Sequence, residues 1–306
     1  MTTPPPMVGV FADLTDQTMG LVDFARAVEE RGFTSLFLNE HTHLPVEMPT
    51  SPFPAGGEVP ERYARFWDPY IALSFVAAAT SLQLGTGVSL IGEHDPIQLA
   101  HAVASLDALS GGRVVLGVGW GWNREEFANH GRSPTVRARV VEEWVGVLRA
   151  LWTAEVAAYE GEFIRLTPSR MWPKPVQAGG PPVLLGGRAT ARNFGRVARW
   201  ADGWITMGVM PTPGDLAALA EAWVVAGRPG GPRVTVIHNP SPGAPGLDEV
   251  VARAGALGLE RVLVHVLAGD RGLMLRRLDR AAALLGRPRA AGRPGPALRS
   301  REGTTS

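Results

Sequence analysis

The sequence predicts an α/β fold, a closed (β/α)8 TIM barrel, and three observations predict it. Short apolar runs alternate with amphipathic stretches along the chain, eight of each between residues 7 and 285. The runs are apolar throughout rather than at every second residue, as strands buried on both faces of a parallel sheet must be. The turn after the first run is Ala12-Asp13-Leu14, without the glycines that an open, doubly wound sheet places there to hold phosphate.

Residues 7–11 (MVGVF) read as the first strand, and Leu21, Phe24, Ala25 and Val28 at helical spacing as its helix, which stops at Gly32. Residues 33–38 are the second strand. After a long Pro- and Gly-rich loop, residues 70–80 form a helix and residues 82–90 (LQLGTGVSL) the third strand. A helix over 96–109 leads to the fourth strand at 113–118 (RVVLGV), and the helix over 135–152 carries Val140, Trp144, Val147, Leu148 and Leu151 on one side. The remaining strands fall at 183–185, 204–207, 233–238 and 261–266, with helices at 190–200, 215–226, 247–257 and 272–285. Residues 1–285 are expected to be one domain. Residues 286–306, rich in Arg, Pro and Gly without apolar period, are expected to be a flexible tail.

Composition removes several function classes. With 45% hydrophobic and 19% charged residues the chain can bury a globular core. Cysteine is absent, which excludes disulfides, thiolate metal sites and cysteine nucleophiles. The net charge of +1 gives no field to attract nucleic acid or an anionic membrane. No run approaches the roughly 18 apolar residues of a membrane span, and the N-terminus (MTTPPPMVGV) has no signal-peptide pattern. A cytoplasmic protein acting on a small molecule is the expectation. Lys174 is the sole lysine, so Schiff-base chemistry is removed unless Lys174 performs it.

In such barrels the reacting groups stand at the C-terminal ends of the strands. Those ends read Ala12-Asp13, then Asn39-Glu40-His41-Thr42-His43, then Gly85-Thr86-Gly87-Val88, then Gly117-Val118-Gly119-Trp120-Gly121-Trp122, then Gly186-Gly187-Arg188. Glycines there let backbone N–H groups approach a phosphate-bearing cofactor, although either cluster alone is equally a tight turn. His41 is the strongest single residue for chemistry, because imidazole exchanges protons near neutrality; its bland alternative is a surface loop histidine. Glu40 beside it could tune a neighbouring ring. His43 makes an H-x-H pair with His41, a weak signal without a third ligand, and no metal site is expected. Trp120 and Trp122 are either buried against a helix or form a stacking wall for a flat or apolar molecule. The loop over 44–67, with prolines at 45, 49, 52, 54 and 60, is too long for a connector and reads as a lid or substrate wall.

Together these motifs resemble a known family. The run from Gly111 through Gly117-Val118-Gly119-Trp120-Gly121-Trp122-Asn123-Arg124-Glu125-Glu126-Phe127 resembles the signature of the bacterial-luciferase-like superfamily of flavin- and deazaflavin-dependent oxidoreductases. So do Leu84-Gly85-Thr86-Gly87-Val88, Leu106-Asp107-Ala108-Leu109-Ser110, Arg137 with Glu143 and Leu151-Trp152, the segment 170–177, and Ala201-Asp202-Gly203-Trp204. The likeness covers residues 7–285 and implies an insertion between the fourth and fifth units, at 153–182.

The pattern is most similar to the branch that uses coenzyme F420, an 8-hydroxy-5-deazaflavin. That resemblance implies Glu40 and His41 as the catalytic pair, His41 beside the reactive carbon, and a third-strand bulge with a non-proline cis peptide at Gly87-Val88. It implies a cofactor set of Ala12, Glu40, Thr86, Gly87, Val88, Gly119, Trp120, Gly121 and Glu125, with Gly186, Gly187, Ala189 and Thr190 at the phosphate. Asp13, His43, Trp67 and Trp122 are then expected at the substrate. One departure matters: sugar-phosphate dehydrogenases of this branch carry a glutamate acid where Trp122 stands, and an indole transfers no proton. With only Arg62 and Arg65 as basic residues in the loop over 44–67, an apolar or conjugated substrate is expected. The expected activity is hydride transfer between deazaflavin C5 and such a substrate. The alternatives are an FMN-dependent monooxygenase fed with reduced flavin by a partner reductase, and a non-catalytic flavin-binding protein. A homodimer is expected, with helix faces at 72–79 and 281–285 available for an interface.

Overall fold

A computed structural model describes residues 4–51, 59–241 and 243–286; the middle of the expected lid and all but the first residue of the expected tail lie outside the described residues. The chain runs β1 (Met7–Ala12), α1 (Leu21–Glu30), β2 (Ser35–Leu38), α2 (Pro69–Ala79), β3 (Gln83–Thr86), α3 (Pro96–Ser110) and β4 (Val114–Val118). It continues through α4 (Arg124–Asn129), α5 (Arg137–Thr153), β5 (Ala157–Glu160), β6 (Arg165–Ser169), β7 (Val183–Gly187), α6 (Ala191–Trp200) and β8 (Gly203–Thr206). α7 (Pro213–Val225), β9 (Arg233–His238), α8 (Leu247–Ala256), β10 (Arg261–Val266) and α9 (Arg271–Leu284) complete it. β1, β2, β3, β4, β7, β8, β9 and β10 close into the expected parallel barrel, with β10 pairing back onto β1.

The uniformly apolar strands serve two cores. Phe11, Phe37, Val115, Leu184, Ile205, Ile237 and Leu263 point inward and fill the barrel. Their neighbours, such as Val10, Leu36, Leu116 and Val236, face the surrounding helices. Helix starts follow the sequence signals: Asp68 and Asp95 cap α2 and α3, each ahead of a first-turn proline, and Thr212 with Asp215 makes a capping box on α7.

The insertion is the antiparallel hairpin of β5 and β6, outside the barrel. Glu143 on α5 accepts the backbone N–H groups of Glu162, Phe163 and Ile164 at 2.8–3.0 Å and so ties the hairpin to the helix. Asp107 on α3 does the same for Val176 and Gln177 in the segment that returns to β7. Lys174 donates to the last carbonyls of α5, Leu151 and Ala154, at 2.6 Å, which commits the sole lysine to structure.

Two local features depart from the periodic reading. α4 is short and highly charged and carries no apolar repeat to announce it. The third strand stops at Thr86 instead of reaching residue 90. Gly85 pairs with Val115 but Ser89 with Val118, so four residues advance against three, which is a one-residue bulge. The Gly87–Val88 peptide within it is cis, where the resemblance places it.

Candidate active site

The C-terminal strand ends surround a pocket of about 580 Å³, the size of a cofactor or substrate cleft. Glycine-rich backbone forms one side, from Gly87, Val88, Gly119, Trp120, Gly121, Gly186 and Gly187. A Cβ on Gly119 would lie 2.7 Å from a Val88 methyl, and one on Gly186 would lie 2.5 Å from the other. Glycine at both positions is therefore what lets the bulged Val88 seat between the ends of β4 and β7. Aromatic rings form another side: Tyr63, Phe66 and Trp122.

His41 stands on that aromatic side. Its Nδ1 lies 2.6 Å from Glu126 Oε2, and the Glu126 side chain is fully buried. The other Glu126 oxygen accepts the Thr42 backbone N–H at 2.9 Å, and Asn123, capping α4, accepts the Glu126 N–H. A carboxylate on Nδ1 holds the proton there and leaves Nε2 for the pocket. Tyr63 and Trp122 pack edge-on to the imidazole at 5.2 and 5.4 Å between centroids, which restrains its rotation.

Glu40 follows the same strand but turns elsewhere. Its carboxylate accepts from Ser89 Oγ and the Leu90 N–H, both at 2.6 Å, and pairs with His94 Nε2 at 2.7 Å. Burial pushes the Glu40 carboxyl up, but the His94 bond and charge, with the two other donors, outweigh it and hold it below its usual 4.5. Burial lowers His94, and Glu40 more than offsets this, so its imidazole sits above the usual 6.5. Tyr70, whose hydroxyl donates to Ser89, is pushed well up by burial and then by the Glu40 charge. The ring that Glu40 tunes is thus His94, and the partner of His41 is Glu126.

A polar corner completes the pocket. Asp13 accepts from Asn39 Nδ2 at 2.7 Å and from Arg62 Nε at 2.9 Å, and lies 2.9 Å from His265 Nε2, whose Nδ1 meets Asn239 at 2.8 Å. At the far end Thr190 caps α6 and Asn193 bonds the Arg188 carbonyl. The exposed Arg188 guanidinium makes no hydrogen bond or ion pair among the described residues. Arg196 holds Asn193 at 3.0 Å and lies over Trp120 at 5.0 Å, fixing that indole at the pocket edge.

The structure brings Asp13, Glu40, His41, Gly87, Val88, Gly119, Trp120, Gly121, Trp122, Gly186, Gly187 and Thr190 to this one pocket. The other expected residues lie outside its lining. Ala12 faces the helix layer, because the residue that points inward at the end of β1 is Phe11. Thr86 spends its hydroxyl on the Gly117 carbonyl at 2.7 Å. Glu125 lies on the outward face of α4, where it binds Thr50. Ala189 is exposed at the rim. His43 turns to Thr42 and Asn129 on the surface, away from His41, so the H-x-H pair does not converge. Trp67 lies in an outer apolar groove with Ile71 and Phe75. Sequence reasoning overlooked Glu126, Tyr63, Phe66, Asn239 and His265. The strand-end rule extended to the last two barrel strands would have found Asn239 and His265, and Glu126 stands one residue from the Glu125 it selected.

Comparison with known proteins adds four findings. The family model described as luciferase-like monooxygenase matches residues 9–289. An uncharacterised protein of Mycobacterium tuberculosis (strain ATCC 25618 / H37Rv) is 41% identical over 273 residues, 86% of this chain and 90% of that one. The F420-dependent glucose-6-phosphate dehydrogenase of Amycolatopsis mediterranei is 31% identical over 189 residues, 60% of this chain and 52% of the enzyme, so the match spans about half of that relative. Among solved structures, monooxygenase RslO1 from Streptomyces bottropensis superposes with a TM-score of 0.72 at 20% identity, over 91% of this chain and 98% of that one, a likeness of fold.

Proposed function

The chain belongs to the luciferase-like monooxygenase family of oxidoreductases, and from that premise we propose that it is a coenzyme F420-dependent oxidoreductase acting on a small apolar or conjugated substrate. One observation carries the reading: a buried imidazole, His41, fixed through Nδ1 by Glu126 in the pocket that the glycine-rich strand ends also line. The F420-dependent relative supports the choice of deazaflavin over FMN.

The residues present fit such a cofactor. Gly119 and Gly186 give Val88 its seat in the pocket wall, and Gly121 has the positive φ of 67° that favours glycine. Gly87, Val88, Gly119, Trp120 and Gly121 would hold the ring and side chain. Gly186, Gly187, Thr190 and Arg188 would hold the phosphate, where the N-terminus of α6 and a free guanidinium both favour an anion. When bound, F420 supplies or accepts hydride at C5 of its deazaflavin. His41 gives or takes, at Nε2, the proton that accompanies hydride transfer at the substrate. Tyr63, Phe66 and Trp122 exclude water and orient an apolar molecule beside that nitrogen.

The relative's sugar phosphate is not carried over. Trp122 has no proton to give, and both arginines of the loop over 44–67 are already paired, Arg62 with Asp13 and Arg65 with Glu61 and Asp16. A panel of enones, ketones and secondary alcohols, assayed with F420 under nitrogen and under air, tests the proposal. Turnover is expected to be independent of oxygen, and His41→Ala to lower kcat by about 10²–10⁴-fold while the cofactor Kd changes far less. An oxygen requirement, or undiminished turnover by His41→Ala, overturns the reading.

A further inference from the structure

Behind His41 the pocket wall contains a second buried acid that the chemistry above does not use. Glu93 lies in the short turn after β3, with its side chain 1% exposed. Neither of its oxygens has a partner of good hydrogen-bond geometry among the described residues, and the hydroxyl that acts on it is that of Thr42. It stands within hydrogen-bonding reach of Glu126, itself fully buried. His130 Nε2 is 3.6 Å away, at the surface side of the same cluster, and also lies 3.0 Å from the Thr42 hydroxyl.

Two buried carboxylates in contact, with only the Thr42 hydroxyl, 3.4 Å from Glu126 Oε1, to serve both, cannot both be ionised in such a place. We propose that Glu93 is a neutral acid that donates its proton to Glu126, so that the pair carries one negative charge and Glu126 is free to fix His41 through Nδ1. Glu93 is then a positioning residue acting on His41 through Glu126. The assignment of work to His41 rests on the function proposed above; the carboxyl pair does not.

The charged and titratable groups around Glu93 agree with that state. The Glu40 charge acts on it from the end of β2 and Glu126 meets it from α4; His94 follows it in the chain; His130 and Arg132 close the outer side, Arg132 donating to the Gly92 carbonyl at 3.2 Å. Burial first, then the charges of Glu126 and Glu40, push the Glu93 carboxyl up to about 9, and the Thr42 hydroxyl offsets only part of this. Burial and the neighbouring His43 lower His130, so it brings no strong positive charge to ionise Glu93. Above about 9 the second charge would appear, Glu126 would be repelled, and the imidazole would lose its fixed partner.

Infrared difference spectroscopy of the full chain without cofactor tests the pair. Wild type should show the carbonyl stretch of a protonated carboxyl at neutral pH, lost as pH passes about 9. The band should be missing from Glu93→Gln and, in Glu126→Gln, should disappear at a lower pH because one repelling charge is gone. A Glu93 already ionised at pH 7 overturns the proposal, and carbon-13-labelled glutamate in the wild-type chain decides that point even if a variant fails to fold. Nitrogen-15 spectra should show His41 with its proton on Nδ1 in wild type and in Glu93→Gln at neutral pH, and a mixture of tautomers in Glu126→Gln; an Nε2-protonated ring in wild type also overturns it. With F420 and substrate, the alkaline limb of the kcat profile should be present in wild type and absent in Glu93→Gln. Failure of the cofactor reading would remove this last result alone, leaving the spectra to decide the pair.

Discussion

Glu40 and His41 are neighbours in the chain with unlike partners, and that division explains most of the site's electrostatics. Glu40 belongs to a buried ion pair with His94 that steadies the turn after β3. Its sign can be worked out. Glu40 is held below its usual 4.5, so its stabilisation is present above that pH and is lost as pH falls through the lower folded value. His94 is held above its usual 6.5, so its stabilisation is complete below that pH and is lost as pH rises through the higher folded value. Both contributions are in place between pH 4.5 and 6.5. Replacing His94 with Gln should cost about 2–3 kcal/mol there, a buried pair discounted for the partial exposure of His94. Thermal melts of the two proteins across pH should show the largest gap in that window and a narrowing on either side. A gap that grows steadily toward alkaline pH would contradict the pairing. At this scale the sequence identifies the acid and the imidazole but not their partners. Glu126 comes from α4 and His94 from the turn after β3, and their approach to β2 is set by the barrel's closure, which leaves no periodic trace in the chain.

Among the elements, β3 and the two strand ends beside it form one interlocking unit. The bulge moves Val88 out of the ladder and toward β4 and β7, and Gly119 and Gly186 receive it. Valine branches at Cβ and has few rotamers with which to yield. Gly186→Ala should therefore destabilise the chain by about 1–3 kcal/mol through overpacking. Val88→Ala introduced with it should recover much of that loss, giving a coupling of about 1 kcal/mol or more in urea unfolding. Strict additivity of the two substitutions would show that the methyls and the glycine do not meet. The strands and long helices were legible from period because burial on two faces or one dictates their pattern. α4 and the hairpin of β5 and β6 were not: α4 buries little beyond Glu126 and Phe127, and the hairpin depends on the Glu143 carboxylate for its anchorage.

For the molecule as a whole, the alternation of elements fixes a barrel, and the barrel fixes which residues can meet. Asp13, Arg62, Asn239 and His265 come from the first strand end, the loop over 44–67 and the last two barrel strands, and closure of β10 onto β1 makes them one polar corner. The strand-end rule reaches Asp13, Asn239 and His265 one by one, but a linear reading does not bring them together, whereas the glycine-rich strand ends were plain, because each lies within a few consecutive residues. That loop contributes Tyr63 and Phe66 to the pocket and turns Trp67 outward, with Phe66 bridged to Thr15. On the proposed reading, the glycine-lined wall and Arg188, unpaired among the described residues, would hold a phosphate-bearing redox cofactor, and the oriented His41 would manage one proton beside it.

Anaerobic equilibrium binding of oxidised coenzyme F420 and of FMN to the purified protein, followed by fluorescence and absorbance, tests that account most directly. The account predicts that F420 binds more tightly than FMN and that Arg188→Glu weakens the F420 complex. Tighter binding of FMN would contradict it and make the chain a flavin monooxygenase that waits for oxygen and a reductase.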